Sequence, residues 1–208
     1  MRILLTHHFP LEADVPGRFA AELAEKLIAA GHEVQALIVD ASAEGQVGFP
    51  LRRVPDAAPR FSGEVGSLTF ESLTAAQLDR HLDALRRALD SEIENFNPHV
   101  VHAQHIWLLG HLALEMGVPY VLSAWQAELK ACSAGTPYQR YAQEAAENAG
   151  RILISTPGLA PEIAAAFGDL DGRVDIKDGE AAWLQDNAAP VVKVYREVID
   201  ARFGNFEP

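Results

Sequence analysis

A single cysteine, Cys132, stands among the 208 residues. No internal disulfide can form, and a chain of this length buries enough apolar surface to fold without a disulfide or a structural metal. Scarce cysteine suits a reducing compartment. Positive charge is also short: 17 Lys and Arg stand against 29 Asp and Glu, a formal net charge of −12 spread evenly over the two halves. Duplex phosphate repels such a protein, so nucleic acid is not an expected partner. Arg52, Arg53 and Arg60 come nearest to a basic patch. No apolar run approaches the roughly 18 residues that a transmembrane segment needs. The opening Met1-Arg2-Ile3-Leu4-Leu5-Thr6 turns polar at His7, too soon for a signal peptide. The expectation is a soluble, cytoplasmic protein. The dinucleotide fingerprint G-x-G-x-x-G, the phosphate loop G-x-x-x-x-G-K-[ST] and the nucleophile elbow G-x-S-x-G are all missing, which disfavours the usual NAD, ATP and serine-hydrolase sites.

What is present alternates. Residues 2–6 form a short apolar run, and a loop with Pro10 and Pro16 leads to Gly17. From Gly17 to Ala30, Phe19, Leu23, Leu27 and Ala30 recur at spacings of four and three before Gly31 stops the helix. Glu33–Val39 is a buried strand, so the chain begins as a right-handed βαβ unit. Residues 40–72 are mostly loop, with room for one strand near Leu51–Val54. Leu78, Leu82, Leu85, Leu89, Ile93 and Phe96 mark a long helix ending at Asn97-Pro98. Strands at 99–102, 120–123 and 151–155 then alternate with helices near 107–116, 138–148 and 161–167. This is an α/β fold with a doubly wound, mostly parallel, Rossmann-like sheet. The expected organisation is one domain over 1–168, an exposed acidic connector over 169–186, and a C-terminal helix in 187–208 that docks Val191, Val194, Tyr195, Val198 and Ile199 back on that domain.

In an open parallel sheet, ligands bind beyond the carboxyl ends of the strands. Five of the eight histidines fall at or just after two such ends: His7, His8, His102, His105 and His111. They can hydrogen-bond a sugar or phosphate, serve as structural core histidines, or converge on a metal, although no carboxylate sits at a matching strand end as a third ligand. Gly17 can open an anion seat at a helix start or simply cap it. Trp125 can stack on a sugar face or form an apolar lid. Ser155 is better suited to capping or binding than to nucleophilic attack.

Four stretches carry a family resemblance. Met1–Asp40 with its Gly31-His32-Glu33-Val34, Pro98-His-Val-Val-His102-Ala-Gln-His105, Gly117-Val-Pro-Tyr-Val-Leu-Ser123 and Arg151-Ile-Leu-Ile-Ser155-Thr-Pro-Gly-Leu159 together resemble the N-terminal, acceptor-side domain of GT-B glycosyltransferases of the group 1, family 4 retaining type. The resemblance implies sugar transfer from a nucleotide sugar to an acceptor in a cleft between two Rossmann-like domains. Where the family usually follows its fifth strand with His-Gly, this chain has Trp125-Gln126, while Glu128 matches an acidic residue common just after it. On this resemblance the donor-binding second domain is not in these residues. No cofactor is expected in the chain, and the nucleotide-sugar donor would come with a second domain, a partner chain or a homodimer. Gly17 and Arg18 would receive an anionic group of a sugar or phosphorylated acceptor. His7, His102 and His105 would bond hydroxyls, and Trp125 with Glu128 would line the reaction side. Two other readings stay open: a non-catalytic binding or scaffold module derived from such an enzyme, and, more weakly, a metal-dependent hydrolase built on the histidines.

Overall fold

The computed structural model describes residues 1–40, 47–55, 59, 69–132, 135–170 and 172–204; Arg60 of the small basic patch lies outside them. Seven strands form one sheet: β1 (Arg2–His7), β2 (Glu33–Val39), β3 (Leu51–Val54), β4 (Val100–Ala103), β5 (Tyr120–Ser123), β6 (Arg151–Ile154) and β7 (Val174–Ile176). Their order is β3-β2-β1-β4-β5-β6-β7, and every pairing is parallel. The order reverses direction between β1 and β4, which is where a doubly wound sheet opens a crevice.

Strand alternation sorts the core into two layers. From β1, Ile3 and Leu5 pack with Val34, Ala36 and Ile38 under α1 (Val15–Ala29) and α8 (Gln185–Phe203). Leu4 faces the other way, with Leu37, Val101, Leu122 and Ile152, toward α2 (Ala75–Phe96), α3 (Leu108–Glu115), α5 (Gln139–Asn148) and α6 (Leu159–Phe167). The long helix α2 starts with a capping box, in which Thr74 and Gln77 each accept the other's backbone N–H, and ends with Asn97 in the left-handed region (φ 48°) ahead of Pro98.

The regular part of α8 begins only after Asp186, Asn187 and Ala188, all left-handed, so Pro190 falls in its first turn, where a missing N–H costs nothing. Val191, Val194, Tyr195, Val198 and Ile199 are buried against the first domain layer as the apolar stripe requires. Gly150 admits this helix, because a Cβ there would sit 2.5 Å from a methyl of Val198. Residues 169–186, expected as an exposed connector, are tied in more closely. They supply β7 at the sheet edge, and Trp183 buries its indole and donates Nε1–H to the Ile154 carbonyl at 3.1 Å. Two short helices carry no periodic signal in the sequence, α4 (Gln126–Ala131) and α7 (Glu180–Trp183). Each is too brief for a 3.6-residue stripe to show.

Candidate functional site

The carboxyl ends of β1, β4, β5 and β6 surround a cleft of about 530 Å³ whose lining includes Phe9, Asp14, His105, Trp125, Ser155 and Thr156. Its deepest polar feature is a paired acid and base. His105 lies two residues past β4 and is buried, with its Nδ1 2.5 Å from Oε2 of Glu128, itself fully buried. Glu128 is the third residue of α4, and its Oε1 accepts the backbone N–H of Trp125 (3.1 Å), the acidic half of a capping box. The same oxygen accepts the N–H of Ile106 at 3.2 Å, so one carboxyl ties the loop after β4 to the loop after β5. Burial pushes the Glu128 carboxyl well above its ordinary range, against the pull of those two N–H groups. Burial also brings His105 down to about 4. Both shifts favour a pair without net charge. With the carboxyl proton on Oε2 bonded to Nδ1, the ring carries its hydrogen on Nε2 and can give it to the oxygen of a hydroxyl compound in the cleft.

A second set of bonds shapes the β1–α1 loop. His7 donates from Nε2 to Oδ1 of Asp14 at 3.1 Å, and its ring stacks on His105 with centroids 5.1 Å apart. Asp14 is the N-cap of α1, and the same oxygen accepts the N–H of Gly17 at 2.7 Å. Burial alone would raise the Asp14 carboxyl, but the bonds from His7 and Gly17 hold it below its ordinary range. Burial lowers His7, with Asp14 opposing. The loop closes tightly, since a Cβ at Gly17 would meet the Leu11 carbonyl oxygen at 2.4 Å.

The structure thus separates the residues that the sequence groups together. His105, Trp125 and Ser155 line the cleft, and Glu128 stands directly behind His105. Trp125 is half-buried with its ring edge-on to Phe19. His7 sits behind the wall, reaching it through Asp14 and His105. The Gly17 N–H, expected to seat an anion, is already occupied by Asp14, and Arg18 is exposed and outside the cleft lining. His102 is wholly inside the opposite layer. Its Nδ1 meets Tyr195 Oη at 2.7 Å and its Nε2 meets Ser123 Oγ at 2.9 Å, so neither nitrogen can serve a ligand. His8 is buried among Phe9, Phe70, Trp107 and His105. His111, on α3, pairs with Glu115 and Glu144 away from the cleft. The residue that sequence reasoning misses is Asp14, although Asp14-Val15-Pro16 is the signature of a helix start: an N-cap acceptor followed by proline in the first turn.

An open parallel sheet with its cleft at the strand-order reversal is the doubly wound, Rossmann-like arrangement, which the N-terminal domains of GT-B glycosyltransferases share. The chain belongs to the glycosyl transferase 4-like domain family, whose model matches residues 16–175. No curated protein matches the sequence. Among solved structures, it is similar to a piece of sucrose-phosphate synthase from Thermosynechococcus elongatus designated 27_220_406_426 (15% identity, 95% of this chain and 98% of that one, TM-score 0.61). It is also similar to UDP-GlcNAc 2-epimerase from Neisseria meningitidis bound to UDP-GlcNAc (10% identity, 100% and 55%, TM-score 0.56). A third similar structure is Arabidopsis thaliana UGT89C1 complexed with UDP-L-rhamnose (15% identity, 88% and 54%, TM-score 0.52). The chain spans about half the length of the latter two. At these identities the likeness is one of fold. Among the described residues no helix is long and apolar enough to cross a membrane.

Proposed function

We propose that this chain is the acceptor-side domain of a glycosyl transfer enzyme and that its cleft holds the hydroxyl that receives the sugar. The observation that carries the reading is the His105–Glu128 pair in the wall of the cleft at the sheet's reversal point. The nucleotide sugar would be presented by a second domain or a partner chain. UGT89C1 and the epimerase, each about twice as long, are described with UDP-L-rhamnose and UDP-GlcNAc. The sucrose-phosphate synthase piece, whose designation carries two separate ranges, is matched over nearly its whole length by a chain made of one sheet and a returning last helix.

The acceptor is a neutral sugar or another hydroxyl compound with an apolar face. Among the described residues no Lys or Arg lines the cleft, Asp14 carries negative charge there, and the Gly17 N–H is not open to a phosphate. Trp125, Phe9 and Leu159 offer apolar walls against which a sugar face can lie. A scaffold module would instead show an apolar rim. Among the described residues the exposed large apolar side chains are Val15, Ile28, Ile176 and Phe203, of which Val15 alone lines the cleft.

Calorimetric titration of the 208-residue chain with neutral disaccharides, matching sugar phosphates and UDP-sugars tests this. Binding of a neutral sugar that His105→Gln weakens at least about tenfold is the expected result. Tight binding of a nucleotide sugar by this chain alone, or preference for the phosphorylated series, overturns the assignment.

A further inference from the structure

His7, Asp14 and His105 come from three separate places in the chain: the end of β1, the cap of α1 and the segment after β4. One donor atom from each lies within 4.8 Å of the other two. We propose that these side chains form a binding site for a divalent transition-metal ion, zinc being the ion best matched to two imidazoles and one carboxylate.

The surroundings are those of a metal ligand set. A coordinating histidine nearly always gives its second ring nitrogen to a carboxylate or carbonyl that fixes the ring. His105 has that partner, since Glu128 engages its Nδ1 and is itself held by two backbone N–H groups; coordination through Nε2 would release the pair's proton and leave Nδ1–H donating to an ionised Glu128. His7 contributes a second indication. Its Nδ1 is buried with no hydrogen-bond partner, while its Nε2 already touches the Asp14 carboxylate. Asp14 directs Oδ1 to the Gly17 N–H as a cap, which leaves a second carboxylate oxygen for an ion. Asp14 and His105 both line the cleft, so an ion has a path in and room for a water ligand. A bound ion would fasten the β1–α1 loop to the end of β4. The ion would share His105 with the sugar reading, and Asp14→Asn, which leaves His105 in place, tells the two apart.

The test is stoichiometry and spectrum. The chain, stripped with chelator and dialysed against micromolar zinc, is expected to retain one equivalent by elemental analysis. Cobalt(II) is expected to give the visible absorption of a low-coordinate nitrogen and oxygen site. Asp14→Asn keeps an N-cap acceptor and so preserves the helix start while removing the anionic ligand. Zinc affinity is expected to fall at least about tenfold in this variant and in His105→Gln, and about 10–100-fold in Glu128→Gln. His111→Gln, on a different face, is expected to change nothing. Far-UV circular dichroism reports whether each variant is folded, and Asp14→Asn and His105→Gln provide independent readings should one of them unfold. No saturable uptake by the folded wild-type chain, or undiminished uptake by either of these two variants, overturns the proposal.

Discussion

His102 and His105 stand three residues apart at one strand end and have opposite occupations. His102 lies within β4, two residues after Val100, and so shares Val100's face of the sheet, against α8. There it joins Tyr195 of α8 to Ser123 of β5. His105 lies beyond the strand, where the backbone has left the sheet, and its partner Glu128 comes from the next strand's loop side. A pair of histidines at this spacing would serve as joint metal ligands on a helix. On a strand and the loop after it, the alternation of the pleat decides. One ring becomes a bolt between the sheet and the returning helix, and the other becomes a wall of the cleft.

Substitutions should separate the two roles. His102→Ala removes a fully buried ring and leaves Tyr195 Oη and Ser123 Oγ without their partner, at a cost of about 3 kcal/mol from the cavity and the orphaned hydroxyls. Urea unfolding is expected to show that loss, while neutral-sugar binding per folded molecule stays within about twofold of wild type. A loss below about 1 kcal/mol would mean that α8 is held by its apolar stripe alone. His105→Gln is expected to do the reverse: a smaller stability change of about 1 kcal/mol, because glutamine can still bond Glu128, with the sugar affinity carrying the larger effect. If both variants lose stability alike and neither alters binding, the contrast between bolt and wall disappears.

Much of this arrangement is legible in the sequence. The strand and helix order, the docking of the last helix and the crevice at the strand ends all follow from periodicity and from the rule for open parallel sheets. The contents of the crevice follow less well. Asp14 acts through a capping geometry, and Glu128 through α4, a six-residue helix without a stripe. Both are local hydrogen-bond effects that a hydropathy pattern does not register. His102 was assignable in principle, since its two-residue offset from Val100 fixes its face. Nothing in the sequence pairs it with Tyr195, 93 residues away.

The smallest effect separates the two histidines by proton linkage. Burial holds His102 at about 3 in the folded chain, against an ordinary value of 6.5. Below pH 6.5 the unfolded chain therefore binds a proton that the folded chain refuses. His102's contribution is whole above that pH and lost progressively as pH falls toward 3. Between pH 7.5 and 6.0 the loss is on the order of 1 kcal/mol, and His7 and His8, also lowered by burial, add slope of the same sign. The His105–Glu128 pair behaves otherwise. Below pH 6.5 the proton that His105 gains on unfolding is opposed by the one that Glu128, raised by burial, gives up, so the pair adds less slope than His105 would alone. Urea midpoints from pH 5 to 8 are expected to show that His102→Gln flattens the acid limb. An acid limb unchanged in His102→Gln would show that this histidine is protonated in the fold and that its bonds to Tyr195 and Ser123 are those of a cation.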